Sequence, residues 1–134
     1  MKKKERQELI KYRITKARET FNEVELHVEN KLWNTAVNRL YYACYYAVIA
    51  LLIDKDIRAQ THSGVRQMFG LHFVKSGLID KELGKFYTDI FDMRQTGDYD
   101  DYIEFKKEDV LDLIEPANEL IRKIEGLLLL SNLK

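Results

Sequence analysis

The sequence predicts an all-α protein, an antiparallel bundle of four to five helices. Apolar residues recur at alternating spacings of four and three through several long stretches, and no segment shows the strict alternation of a half-buried strand. One proline and six glycines leave few places for the chain to break. At 134 residues the chain fits a single domain, 1–134, long enough to bury a core without staples.

The first helix is expected from about Lys4 to Asn30. Ile10, Ile14, Ala17, Phe21, Val24 and Val28 share one face, charged residues fill the other, and Asn30 reads as the terminator. The second, about Leu32 to Asp54, differs in kind. Trp33, Val37, Leu40, Cys44, Val48 and Leu51 form a stripe, while Tyr41, Tyr42, Tyr45, Tyr46, Ile49 and Leu52 cover most of the remaining surface. A helix apolar nearly all round is central to its bundle or shared with another subunit. So small a domain has trouble surrounding one helix, so a homodimer is expected, with part of this helix facing the second chain. The apolar stretch Leu40 to Ile53 reads as too short for a bilayer span and suits a core helix.

A third, shorter helix should begin at Thr61 or His62, carry Val65, Met68, Phe69 and Phe73, and end at Gly77. Asp80 is a suitable N-cap for a fourth, with Leu83, Phe86, Tyr87, Ile90 and Phe91 inward and turn formers at Thr96-Gly97-Asp98 ending it. A polar segment from Asp98 to Lys107 leads to the last helix, where Val110, Ile114, Ala117, Ile121, Ile124 and Leu128 repeat the pattern. Pro116 lies inside it and is expected to kink it or loosen its first turns.

Charge restricts the function. Lys plus Arg and Asp plus Glu number 22 each. A protein that coats nucleic acid through phosphates carries a basic excess, so any RNA contact must come from a local patch. Cys44 is the only cysteine, which rules out an internal disulfide, and the Met-Lys-Lys-Lys start lacks the apolar core of a signal peptide. The cytoplasm is the expected compartment, with neither membrane nor DNA as a partner.

Three stretches carry a family resemblance. The first is Ala36-Val37-Asn38-Arg39-Leu40-Tyr41-Tyr42-Ala43-Cys44-Tyr45-Tyr46-Ala47-Val48. The second is Thr61-His62-Ser63-Gly64-Val65, followed by Phe69. The third is Arg94-Gln95-Thr96-Gly97-Asp98-Tyr99-Asp100. Together, in this order, they resemble the small stand-alone HEPN domains of bacteria and archaea, over about Ala17 to Leu128. The resemblance implies a helical bundle that dimerises and associates with nucleotides or RNA. It also implies a minimal nucleotidyltransferase as partner in a toxin–antitoxin-like pair, with no cofactor. Many such domains are metal-independent endoribonucleases with an arginine and a histidine four to six residues apart. In related systems a nearby tyrosine is adenylylated, which brings Tyr99 and Tyr102 into view, although the full histidine-x-tyrosine context is absent.

Metal-free RNA cleavage needs a proton-transfer group near the reacting hydroxyl and a cation for the developing phosphate charge. Histidine and arginine suit those tasks. Arg94 stands at the family's arginine position, but the spacing after it lands on Tyr99, Asp100 and Asp101. Tyrosine, with a pKa near ~10, is a poor base at neutral pH, and aspartates beside Arg94 repel a phosphate. His62 is the alternative partner: if it approaches Arg94, the two rebuild the pair from distant positions. Otherwise it is a helix-start histidine bonded to Asp98 or the backbone. The candidate ligand-binding residues are thus Arg94, Asp98, Tyr99, His62, Arg39 and Tyr42, with Arg94 and His62 also the catalytic candidates.

Other patterns have plainer readings. Arg66 and His72 match the arginine–histidine string but stand on different helix faces. Tyr41/Tyr45 and Tyr42/Tyr46, each four apart, either stack a base or fill a core or dimer seam, the seam being favoured. Asn38 and Arg39 supply partners for those hydroxyls or line a phosphate-sized pocket. Asp98, Asp100, Asp101 and Glu104 lack the glycine and closing glutamate of a calcium loop and read as a solvated turn, with no metal. Lys2, Lys3, Lys4 and Arg6 read as a solvated helix start. The function divides into a binding module built round Arg94, a divergent endoribonuclease using Arg94 and His62, and a purely structural dimer.

Overall fold

The computed structural model describes residues 2–132, which form five α-helices and no strand. They are α1 (Lys3–Glu29), α2 (Trp33–Asp54), α3 (His62–Phe69), α4 (Lys81–Tyr99) and α5 (Lys107–Asn132). A π-helical turn, Gly70–Val74, extends α3 and closes with the Lys75 amide on the Gly70 carbonyl at 2.9 Å. The all-helical expectation holds, α1 and α2 begin and end close to the positions their periodicity implies, and α3 begins at His62 as expected.

The core is organised round α2, which touches every other α-helix and packs most extensively on α1. Its alanines Ala36, Ala43, Ala47 and Ala50 are fully buried, as are Val37, Leu40, Tyr41 and Val48. Small side chains at these positions allow neighbouring backbones to come close while the larger ones fill the gaps between them. By length and hydropathy α2 does reach what a membrane span needs, with 22 residues and a mean hydropathy of 1.4 over its most apolar window, contrary to the reading from Leu40 to Ile53 alone. Its apolarity is accounted for inside the bundle, where 61% of that window is buried. Tyr41 belongs to this core and not to a seam, whereas Tyr42, Tyr45 and Tyr46 are half-buried.

Helix ends follow local chemistry. Asn30 caps α1, its side chain donating to the Leu26 carbonyl, but the left-handed residue is Lys31 (φ 57°). The amides of Lys31 and Leu32 turn back onto Val28 and His27, a Schellman closure. Asp56 (φ 55°) repeats it after α2, with the amides of Asp56 and Ile57 on Ile53 and Leu52. Thr61 caps α3, its hydroxyl accepting from the Gly64 amide at 2.9 Å. Asp80 stands at the N-cap of α4, yet its side chain makes no capping bond.

Two expectations need correction. Helix α4 does not stop at Thr96-Gly97-Asp98 but continues to Tyr99. Asn34 of α2 explains the extra turn: its amide donates to the Gly97 and Ile103 carbonyls, and its oxygen accepts from the Phe105 amide at 2.8 Å. Gly97 is needed because a Cβ there would lie 2.6 Å from the Phe105 ring. The third helix ends early, giving way at Gly70 to the π turn that closes at Val74, short of Gly77. Helix α5 spans Pro116, its start held by the Lys106 amide on the Asp109 carboxylate at 2.8 Å.

Candidate functional site

The tyrosines on α2 face the late turns of α4 and the start of α3. Because α4 continues to Tyr99, Arg94 and Asp98 are one turn apart on the same helix, with guanidinium and carboxylate 3.7 Å apart. Arg94 is only 6% exposed. Its guanidinium lies 4.9 Å from the centre of the Tyr41 ring, 5.4 Å from Tyr42 and 5.9 Å from Tyr99, a cation among π faces. Its Nε is buried without a hydrogen-bond partner, and the Asp98 contact is longer than a hydrogen bond. A buried guanidinium with an unpartnered Nε is an unusual group to find in a core. Burial works against its charge, yet Tyr42, Tyr41 and Asp98 outweigh that and keep it firmly protonated.

His62, at the first position of α3, meets the same tyrosines. Its Nδ1 lies 2.8 Å from the Tyr41 hydroxyl, and its ring stacks on Tyr45 with centroids 4.3 Å apart. Tyr41 therefore links His62, through its hydroxyl, to Arg94, over its ring. Neither Asp98 nor the backbone is the partner of His62, so the anticipated loop-fixing role is replaced by one on α2. Burial pushes the Tyr41 phenol up to about 12 against the opposing pull of Tyr87 and Arg94, so the hydroxyl keeps its proton. The hydroxyl and Nδ1 share one hydrogen bond whose direction follows the imidazole tautomer, and Tyr87 is a second hydroxyl neighbour of Tyr41. Burial first, and the Arg94 cation second, lower the His62 pKa. Nε2 has no hydrogen-bond partner among the described residues.

The other candidates divide. The Asn38 amide donates to Asp98 at 2.8 Å and Arg39 Nε donates to the Asn38 oxygen at 3.1 Å, so both belong to the rim of the site. Arg39 also covers the Tyr42 ring at 5.1 Å. Tyr99 is 75% exposed at the end of α4, and Tyr102, at 95%, stands in the loop beyond it. Arg66 and His72 do not share a site: Arg66 packs over the Phe91 ring at 4.7 Å, and His72 is exposed on the π turn. Among the described residues no three His, Cys, Asp or Glu side chains converge as metal ligands, and Asp100 closes a local turn on the Tyr102 amide. Tyr41 and Tyr45, absent from the candidates read from sequence, are the residues that hold the site together. Their four-residue spacing was the available signal, but it does not reveal which helix lies opposite.

Comparison with known proteins identifies the family. The HEPN domain family profile matches residues 10–127. A UPF0332 protein of Thermotoga maritima is 43% identical over 124 residues, 92% of this chain and 94% of its own length. A protein of Methanocaldococcus jannaschii named as a candidate toxin is 35% identical over 120 residues, 90% of this chain and 82% of its own. A second candidate toxin from that organism is 38% identical over 96 residues, 72% of each chain. With the profile covering residues 10–127, most of the helical bundle, the chain belongs to the HEPN family.

Proposed function

We propose that this chain is the HEPN member of a toxin–antitoxin-like module, and that it binds a phosphate group of RNA or a nucleotide at Arg94. The observation that carries the reading is the state of Arg94: nearly buried, cationic, and with its Nε unpartnered among the described residues. A phosphate oxygen is the partner such a guanidinium is shaped for. The unpartnered Nε2 of His62 supplies a second polar group, and the half-buried Tyr42 and Tyr45 rings offer faces on which a base stacks. The toxin names of two relatives support the module. The chain works as one domain and as a homodimer, with a minimal nucleotidyltransferase as partner, in the cytoplasm.

Asp98 moderates the site. Its carboxylate repels an approaching phosphate, but its bond to Asn38 gives it a place to remain when Arg94 takes a new partner. Fluorescence anisotropy with a labelled oligoadenylate dodecamer tests the reading. Wild type should bind, and Arg94→Met should bind at least tenfold more weakly; equal binding by the two, or none by wild type, refutes it.

A second reading, a divergent metal-independent endoribonuclease, draws support from the placing of His62 and Arg94 on one tyrosine. Its chemistry turns on the tautomer. With Tyr41 donating to Nδ1 the ring presents Nε2–H, a donor, whereas general-base work at Nε2 requires the other tautomer, with Tyr41 accepting. Metal-free cleavage of single-stranded RNA, abolished in His62→Ala and in Arg94→Met, would establish this reading over simple binding.

A further inference from the structure

A second cationic pocket adjoins the Arg94 site. It opens between α1, the end of α2 and the segment leading into α3, with a volume of about 400 Å3. Ile49, Leu52 and Ile57 are among its apolar walls, and its polar lining consists of Arg13, Arg58 and Gln60. No carboxylate lines it. Neither arginine has an acidic partner within 4.0 Å among the described residues, whereas Arg6 and Arg18, also on α1, are paired with Asp56 and Glu125. Arg13 Nε is buried and has no hydrogen-bond partner. The protein thus keeps two further guanidinium groups without carboxylates around one apolar hollow, although its net charge is zero.

Tyr45 joins this pocket to the first site. One face of its ring carries His62. Its phenol is raised by burial, and Arg13 is among the charges opposing that rise, which places Arg13 within electrostatic reach of the hydroxyl. The pocket residues Ala59 and Gln60 run directly into Thr61 and His62. Arg58 and Arg13 on one side and Arg94 on the other therefore flank the stacked rings of Tyr45 and His62, a track of cations and aromatic faces suited to single-stranded nucleic acid.

We infer that the Arg13–Arg58 pocket is a subsite for the nucleotide next to the one whose phosphate meets Arg94, its base against the apolar wall and its phosphate on the two arginines. This rests on the phosphate-binding reading of Arg94 and extends it from a single phosphate to a strand. The ligand class is single-stranded RNA, recognised by backbone and stacking and not by sequence.

The test uses the same labelled oligoadenylate dodecamer and the double variant Arg13→Gln/Arg58→Gln, with Gln60→Glu as an independent exposed change that places a carboxylate at the pocket. Both should bind on the order of tenfold more weakly than wild type. The double variant should also lower the slope of log affinity against log salt by about 0.7, for the one phosphate held between the two arginines. Unchanged affinity and slope in the double variant, with binding still lost in Arg94→Met, overturns the subsite and leaves the Arg94 reading intact. Unchanged binding in Arg94→Met, or no binding by wild type, removes both. 5′-AMP should bind far more weakly than the dodecamer. If it binds equally well, is retained by Arg94→Met and is lost in the double variant, the strand is overturned in favour of a free nucleotide.

Discussion

Replacing Arg94 by methionine should leave the protein at least as stable as before, which is unusual for a core substitution. The contributions can be estimated from the geometry. At 3.7 Å from Asp98 the gross Coulomb attraction is about 4 kcal/mol at an effective dielectric of 20. Asp98 is 28% exposed along its side chain, which screens much of it. The Tyr41 and Tyr42 faces add about 0.5–1 kcal/mol each. Against these stands a desolvation penalty of several kcal/mol for a buried ion whose Nε has no hydrogen-bond partner to offset it. Methionine keeps the chain length and lies on the same rings without that penalty. Asp98 is not stranded, because Asn38 still donates to it. The expected change lies between none and a gain of about 3 kcal/mol, read by urea denaturation followed by circular dichroism with an unchanged m value. A loss above about 2 kcal/mol would refute the reasoning, because it would mean that Arg94 is well satisfied in the folded protein and serves the structure.

Three other perturbations have defined outcomes. His62 has a lowered pKa in the folded state, so the unfolded chain binds its proton more readily: its contribution to stability is complete above about pH 6.5 and declines as the pH falls towards the folded value. Thermal melts of wild type should therefore drop more steeply than those of His62→Gln as pH is lowered from neutrality, and parallel curves would contradict this. Two glycine-to-alanine changes should have opposite signs: at Gly84 the new Cβ meets both Val74 methyls at 2.8 Å and costs about 1–3 kcal/mol, while at Gly126 it meets nothing within 4 Å and stabilises α5 by about 0.5–1 kcal/mol. Asn34→Ala removes the bonds to Gly97, Ile103 and Phe105, and should destabilise by about 1–3 kcal/mol while hydrogen exchange quickens in residues 100–106.

The helices were legible because their periodicity is a property of each segment alone. What escaped was decided across segments. Thr96-Gly97-Asp98 has the composition of a turn, and the side chain that keeps it helical, Asn34, comes from α2, 63 residues earlier at its Gly97 contact. Pro116 suggested a disturbed helix, yet α5 is held against α1 by Arg18, which donates to Asn118 and Glu125 at 2.8 Å. The π turn of Gly70–Val74 had no signal in spacing. For the site, Arg94 and His62 were identifiable from their chemistry and family-like setting, but Tyr41 looked like one tyrosine among four. Only the packing of α2 against α3 and α4 distinguishes the ring that touches both functional groups.

The buried alanines of α2 have a bearing on how such a protein can diverge. Where Ala36, Ala43, Ala47 and Ala50 have no exposed surface, any larger residue must push a neighbouring helix outward and carry the tyrosine row with it. Variation in related sequences should therefore collect on the outer faces of α1 and α5 and in the loop after α4, surfaces that can acquire a new partner without disturbing the cluster beneath. A lineage of such proteins can exchange the molecules it answers to while the inner helix stays almost unaltered.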